Sequence, residues 1–122
     1  MTSEFEIAPD PHAGRAQCIS EDMAELYREQ FGRTPGTTTT FFPSEDHVLV
    51  VLEDSMVPAE RRAVQLGNAR GVREARLAAQ QACAEQFCGI VVAATGREVR
   101  AFTSAHDVQA DVATEAFVLH PV

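Results

Sequence analysis

The chain runs one pattern twice, and this repeat constrains the fold more than any other feature of the sequence. Each pass has an amphipathic helix, a Gly-Arg break, and a β-hairpin whose second strand is strongly apolar. The first pass breaks at Gly32-Arg33 and ends on residues 48–52, and the second breaks at Gly96-Arg97 and ends on residues 117–119. Because glycine readily ends a helix in a left-handed conformation, we expect equivalent helix ends at the two breaks.

Size, charge and cysteine content limit the class of protein. A chain of 122 residues predicts one domain with a single modest core. The net charge of −8 argues against nucleic-acid binding, and no apolar run reaches the ~20 residues that span a bilayer, so we expect no direct membrane insertion. Three cysteines without CxxC spacing favour a reducing, cytoplasmic location. Residues 1–12 predict a flexible acidic tail, without the basic start of a signal peptide, ahead of a single domain over residues 13–122.

Periodicity and turn residues place the elements. Apolar residues at helical spacing predict a first helix over residues 13–31, and Pro58 at an N1 position predicts a short one over residues 57–66. We expect Gly67 and Gly71 to separate this short helix from a long one. The remaining predictions are a long helix over 72–94, strands over 37–42, 48–52, 99–104 and 112–119, and a polar loop over 106–111.

This order, α-β-β-α-α-β-β, predicts an α+β fold in which helices pack on a four-stranded antiparallel sheet. Residues 48–52 are apolar at every position, whereas a sheet covered on one side should alternate. Either the short helix covers the second face or a second copy of the chain does. We favour a homodimer.

Arginine is the only basic residue type apart from histidine, and its distribution is uneven. Five arginines fall within sixteen residues that contain one acid, Glu74. Such a patch can dock an acidic partner or an anion. The candidates for ligand or partner binding are Arg73 and Arg76, which are neighbours at i,i+3 on the long helix, together with Arg62. The alternative is an ordinary solvated helix face.

Other polar groups offer little chemistry. His106, Asp107 and Asp111 gather near the second hairpin, and an imidazole with carboxylates can ligate a divalent metal. Their spacing matches no metal motif, so a solvated turn is the preferred interpretation. No nucleophile, phosphate loop or cofactor motif is present, and we expect neither a metal, a cofactor nor an enzymatic activity.

Taken in order, several segments resemble the MpsC-like family, which is named for a Na+-translocating membrane-potential-generating system. They begin with Leu26-Tyr27 and include the two Gly-Arg breaks, the strand at 50–53, and the end of the last strand at 117–119. Met56-Val57 departs from the Leu-Thr that the family carries before Pro58, and this removes a hydroxyl N-cap. The positions of the family-like structural motif are Gly32, Arg33, Pro35, Pro58, Glu60, Gly96 and Arg97.

The resemblance implies an accessory component of such a system, with an unidentified protein partner at the membrane. We therefore expect a non-enzymatic interaction or regulatory domain. The alternative is a small-ligand or anion sensor that uses Arg73 and Arg76. A third hypothesis is a metal-dependent enzyme around His106 and Asp107.

Overall fold

A computed structural model describes residues 12–122, so nearly all of the predicted tail lies outside the described residues. The eight elements in chain order are α1 (Ala13–Phe31), β1 (Thr37–Ser44), β2 (His47–Glu53), α2 (Pro58–Gln65), α3 (Ala69–Ala82), α4 (Ala84–Thr95), β3 (Val99–Asp107) and β4 (Val112–Leu119).

The four strands form one antiparallel sheet in the order β1-β2-β4-β3. Each hairpin pairs its own strands, and the two hairpins meet at the centre, where Val50 of β2 lies opposite Glu115 of β4. The strand residues that are buried alternate with residues that are exposed or half-buried, so helices cover one face. The predicted α+β class, with helices packed on a four-stranded antiparallel sheet, is confirmed.

Two boundaries between helices differ from the sequence prediction. The long helix predicted over 72–94 is two helices, α3 and α4, which meet at Cys83. The backbone of Cys83 departs from helical geometry, with φ −94° and ψ 10°. This break lets α3 pack on β3 while α4 packs on both α1 and β3. Gly71 does not interrupt the helices as expected; it lies in the first turn of α3, where its N–H donates to the Asn68 side-chain cap at 3.2 Å.

The predicted polar loop over residues 106–111 is also too long. β3 continues to Asp107, so His106 is a strand residue that faces the helices and is buried. Its alternation with Phe102 and Ser104 places it on that face. The turn is confined to residues 108–111 and contains Asp111, which has a left-handed φ of 55°.

The two Gly-Arg breaks have the same construction. Gly32 and Gly96 both end their helices with left-handed φ, at 84° and 70°. The next residue, arginine, then donates to the carbonyl that follows the second strand of its own hairpin. Arg33 Nε reaches Asp54 O at 3.1 Å, and Arg97 Nη2 reaches His120 O at 2.5 Å. These family-like arginines therefore tie each helix end to the far end of its hairpin.

The main core lies between the sheet and the helices α1 and α4. Its largest buried side chains are Tyr27, Phe87, Phe117, Ile19 and Met23. A smaller cluster of Met56, Val72 and Val108 lies under α2, which packs against α3. In the described part of the chain, no helix has the length and apolar character to cross a membrane.

Candidate interaction surface

Within residues 12–122, one whole face of the sheet carries no helix. We call it the open sheet face, and its register forms rows of four residues across the strands. One central row is Phe41, Leu49, Ala116 and Thr103, and the next is Thr39, Val51, Thr114 and Ala105. Neither row contains a charged residue, so this face is an apolar and threonine-lined plane.

Ionisable side chains lie only at the ends of the open sheet face. The row at one end contains Glu53 and Asp107, and His47 lies at the other end beside Val118. An apolar centre with a polar rim is the usual anatomy of a protein–protein interface. The arrangement is therefore suited to contact with another protein.

Solvent reaches the open sheet face. Phe41 is 48% exposed, and Leu49, Val51, Ala116 and Val118 are half-buried by their neighbours within the sheet. A shallow depression of about 280 Å³ lies near one end, between Pro43, Leu49, Ala101 and Val118. The short helix was one candidate to cover this second face of the sheet. It does not cover it, because α2 packs on α3 at the other face. This apolar surface is left without a partner in the described chain.

The helix-covered face instead holds a buried polar network. The Glu115 carboxylate accepts hydrogen bonds from Tyr27 Oη at 2.6 Å, from Gln80 Nε2 at 2.9 Å, and from Ser104 Oγ. Burial raises the pKa of Glu115 despite these three donors. Burial and the adjacent carboxylate also raise the pKa of Tyr27. The network joins α1, α3, β3 and β4.

Both interpretations of the arginine patch, a docking site and a solvated helix face, require exposed side chains, but Arg76 lies in the interior. It is 2% exposed, and it forms a bidentate pair with the Glu60 carboxylate through Nε at 2.6 Å and Nη2 at 2.7 Å. Nη2 also donates to Ser55 O at 2.8 Å, and the guanidinium lies 4.1 Å from the centre of the Phe31 ring. Arg76 therefore fastens α2 and the preceding loop to α3, and these contacts use most of its donors.

Glu60 also supplies one half of a capping box at the start of α2, although the half that an N-cap hydroxyl would supply is missing. Its Oε1 accepts the N–H of Val57 at 3.0 Å. Burial alone would raise the pKa of Glu60, but the hydrogen bonds from Arg76 and Val57 outweigh it and lower that pKa. This family-like residue serves two structural purposes, and Pro58 begins the helix as predicted.

The metal candidates do not come together as a ligand set. His106 Nε2 lies 3.1 Å from Asp111 Oδ1, whereas Asp107 Oδ1 accepts the N–H groups of Gln109 and Ala110 within its own turn. Between residues 12 and 122, no group of three histidine, cysteine or acidic side chains is placed to hold a metal ion.

Asp111 instead links the turn of the second hairpin to the loop after β2 and to α2. Its Oδ2 accepts the Met56 N–H at 3.0 Å and lies 3.3 Å from Arg61. Burial opposes ionisation of Asp111, but the Met56 N–H and His106 lower its pKa. Burial lowers the pKa of His106, and so does the nearby Arg76, while Asp111 acts in the opposite sense.

The other two arginine candidates are exposed. Arg73 and Arg62 form no ion pair with any residue in the described range. Sequence reasoning thus grouped three arginines that the fold separates into one interior and two surface side chains. Strand alternation places Glu115 on the same face as Ala113, Phe117 and Leu119, and this is the sequence signal that could have predicted its burial.

Comparison with known protein families gives a match over nearly the whole chain. A model of the family described as "Na+-translocating membrane potential-generating system (MpsC)" covers residues 14–121. No curated protein matches the chain, and no solved structure does. The matched range includes every helix and strand except the first residue of α1.

Proposed function

Because the chain belongs to the MpsC family, named for a Na+-translocating membrane-potential-generating system, we propose that it is a non-enzymatic accessory component of such a system. It acts in the cytoplasm as an interaction and regulatory domain. The open sheet face is its contact surface, and the first partner of that face is a second copy of the chain. The observation that carries this proposal is the apolar plane of the sheet, which no helix of the described part of the chain covers.

The distribution of polar groups supports an interaction role over catalysis. The two central rows of the open sheet face contain no titratable side chain. In the interior, the Glu115 carboxylate accepts a hydrogen bond from Tyr27, and Arg76 donates to Glu60 and to the Ser55 backbone carbonyl. The three cysteines are free, which suits a reducing compartment.

The size of the open sheet face supports a dimer. Four strands at the usual spacing and rise make a plane of about 19 by 25 Å, or about 500 Å² on each copy. Two such planes bury about 1,000 Å², which reaches the lower limit of specific interfaces. Two sheets stacked at about 10 Å, with interdigitating Val, Leu and Phe side chains, form a familiar sandwich.

The end charges favour one orientation of the two copies. Glu53 and Asp107 are both at the same end of the open sheet face. An antiparallel arrangement of the copies keeps these acidic rows apart, whereas a parallel arrangement brings like charges together. We therefore propose a two-fold dimer in which the acidic end of one copy lies over the His47 end of the other.

The role in a membrane-potential system is tested in a strain that lacks the gene. Membrane potential is followed with a voltage-sensitive dye after a Na+ pulse. We expect a smaller Na+-dependent potential in this strain, restored by the wild-type protein and not by Val51→Asp, which places a charge at the centre of the open sheet face.

The matched control is Ala75→Asp, which places the same charge on the exposed surface of α3. Both variants are checked for equal accumulation and equal circular dichroism. An unchanged potential in the deletion strain rejects the accessory role. Full rescue by Val51→Asp rejects the open sheet face as the working surface.

A further inference from the structure

α2 and the loop before it form a segment that stands apart from the main core. We call residues 54–67 the α2 flap. A left-handed residue lies at each end, Asp54 with φ 59° and Gly67 with φ 92°. No residue of α2 itself is buried, and the apolar cluster of Met56, Val72 and Val108 is separate from the main core among the described residues. A segment packed in this way can open locally while the main core stays folded.

Polar contacts to two buried residues hold the α2 flap against the rest of the fold. From the second hairpin, the Asp111 carboxylate accepts the Met56 N–H at 3.0 Å. From α3, Arg76 donates to Ser55 O at 2.8 Å and pairs with the Glu60 carboxylate. A change in the charge balance around Asp111 and Arg76 therefore acts directly on the flap.

His106 lies beside both of these anchoring residues. Its side chain is fully buried, its Nε2 lies 3.1 Å from Asp111 Oδ1, and the charge of Arg76 acts on it. Because Nε2 faces a carboxylate, Nε2 carries the proton of the neutral ring. Nδ1 is then an unprotonated nitrogen, and no group within residues 12–122 forms a hydrogen bond with it. The closed flap thus accommodates the neutral form of His106.

The ionised groups next to His106 are balanced while its ring is neutral. Arg76 pairs with Glu60, and Asp111 Oδ2 lies 3.3 Å from Arg61. The other ionisable groups on the elements around His106 are two of opposite charge that line a depression with it, Arg73 and Asp107, and the buried Glu115 of β4. A proton on His106 adds a positive charge beside Arg76 and makes Nδ1 a buried donor that lacks an acceptor, and both effects are unfavourable.

From this geometry we propose that His106 is an acid sensor that releases the α2 flap. While the ring is neutral, Asp111 and Arg76 hold the flap closed. Uptake of a proton favours the open flap, in which water reaches Nδ1 and solvates the added charge. Opening uncovers the apolar cluster under α2. The switch does not depend on the open sheet face, because His106 is on the helix-covered face of the sheet.

The pKa of His106 determines the direction of the response. Burial lowers this pKa in the closed flap and outweighs the Asp111 hydrogen bond, which acts in the opposite sense. In the open flap the ring titrates near its usual value of 6.5. Opening is therefore nearly independent of His106 above pH 6.5, and it increases as the pH falls below 6.5, by up to about tenfold per pH unit while the closed form stays neutral.

The neighbouring carboxyl groups do not produce the same response. Hydrogen bonds lower the pKa values of Glu60 and Asp111, so both remain ionised at pH 5.5. Burial raises the pKa of Glu115, but protonation of Glu115 stabilises the main core as the pH falls, which is the opposite sign. A flap that opens in mild acid therefore reports His106.

Amide hydrogen exchange on the full chain, followed by mass spectrometry and corrected for the intrinsic rate at each pH, measures the opening. We expect the protection of residues 58–65 to be nearly constant above pH 7 and to fall about tenfold between pH 7.5 and pH 5.5. The protection of residues 87–94 in α4 should not fall with it, because that helix packs in the main core.

Two variants assign the response to its residue. His106→Gln removes the titrating ring and keeps a donor that can reach Asp111, so its flap protection should be the same at pH 7.5 and pH 5.5. His120→Gln is the matched control, because His120 is exposed, and it should keep the tenfold change.

The proposal is overturned if the flap protection of the wild type does not change with pH, a result that requires no variant to fold. It is also overturned if His106→Gln keeps the tenfold change, because another group would then be the sensor. A parallel fall in the protection of α4 would show that acid unfolds the whole domain, and it would likewise reject a local flap.

Discussion

Tyr27 Oη donates a 2.6 Å hydrogen bond to the Glu115 carboxylate across 88 residues of sequence. The bond joins the C-terminal part of α1 to the centre of β4, so it fixes the first helix over the second hairpin. Because Glu115 is fully buried, removal of water from the carboxylate raises its pKa. The hydrogen bond between Tyr27 and Glu115 therefore makes the stability of the fold depend on pH.

Glu115→Gln should be more stable than the wild type at pH 8, with the difference vanishing toward pH 4. The folded state holds the Glu115 proton to a higher pH than the unfolded chain, whose pKa is about 4.5. The stability that the protonated carboxyl contributes is thus full below pH 4.5 and lost as pH rises through the folded pKa. Urea unfolding at several pH values measures the difference.

Tyr27→Phe supplies the companion measurement. It removes a donor from a buried acceptor, so it should cost about 1–3 kcal/mol. A wild type that is more stable than Glu115→Gln at pH 8 would contradict the account of Glu115.

His106 should make the fold less stable below neutral pH. Burial lowers its pKa, so the unfolded chain, with a histidine pKa of about 6.5, takes up a proton first as the pH falls. The stability that neutral His106 contributes is fully present above pH 6.5, and it declines as the pH falls toward the pKa of His106 in the folded chain. His106→Gln should therefore lose less stability between pH 7 and pH 5 than the wild type. Exposed His120→Gln is the control, and equal losses in both variants would contradict the prediction.

Removal of one partner of the Arg76–Glu60 pair should strongly destabilise the fold. Arg76→Met keeps much of the buried stem but leaves Glu60 without its guanidinium, and this should cost about 3–5 kcal/mol. Glu60→Gln in the same chain should recover part of that loss, because the two residues share one network. A double-mutant cycle by urea unfolding gives the coupling. If the stability loss of the double variant equals the sum of the two single losses to within about 0.5 kcal/mol, the pair does not act as a unit.

Substitution by alanine should change the stability of the fold in opposite directions at two glycines that have open surroundings. Gly96 has a φ of 70°, so Gly96→Ala forces a left-handed alanine and should cost about 1–2 kcal/mol. Gly89 is inside α4 without positive φ, so Gly89→Ala should stabilise by about 0.5–1 kcal/mol. Melting temperatures measure both. Shifts of the same sign would show that backbone conformation does not control these positions.

Local patterns predicted most of the architecture. The boundaries of α1 at Ala13 and Phe31 are those expected from its apolar spacing and from Gly32, and β4 has its expected bounds at Val112 and Leu119. These features depend on residues close in the chain, so periodicity and capping glycines report them directly. The break at Cys83 could not be predicted in this way, because no glycine or proline marks it and packing on different elements accompanies it.

The candidate sites show the same division between local and long-range information. Arg76 and Arg73 have similar sequence surroundings, but only Arg76 meets Glu60 of α2 and Ser55 of the loop before that helix. The apolar character of residues 48–52 did predict a second apolar face, since Val50 is in the core and Val51 is on the open sheet face. The sequence alone did not predict that α2 packs on α3 at the opposite face of the sheet.

Light scattering on the purified wild-type chain at tens of micromolar, within the range of the weaker specific complexes, tests the open sheet face most directly. The account predicts a mass of about twice the 13.3 kDa of one chain, and a return to one chain mass in folded Val51→Asp but not in Ala75→Asp. A wild type that is monomeric at this concentration would contradict it, and so would a Val51→Asp variant that remains a dimer.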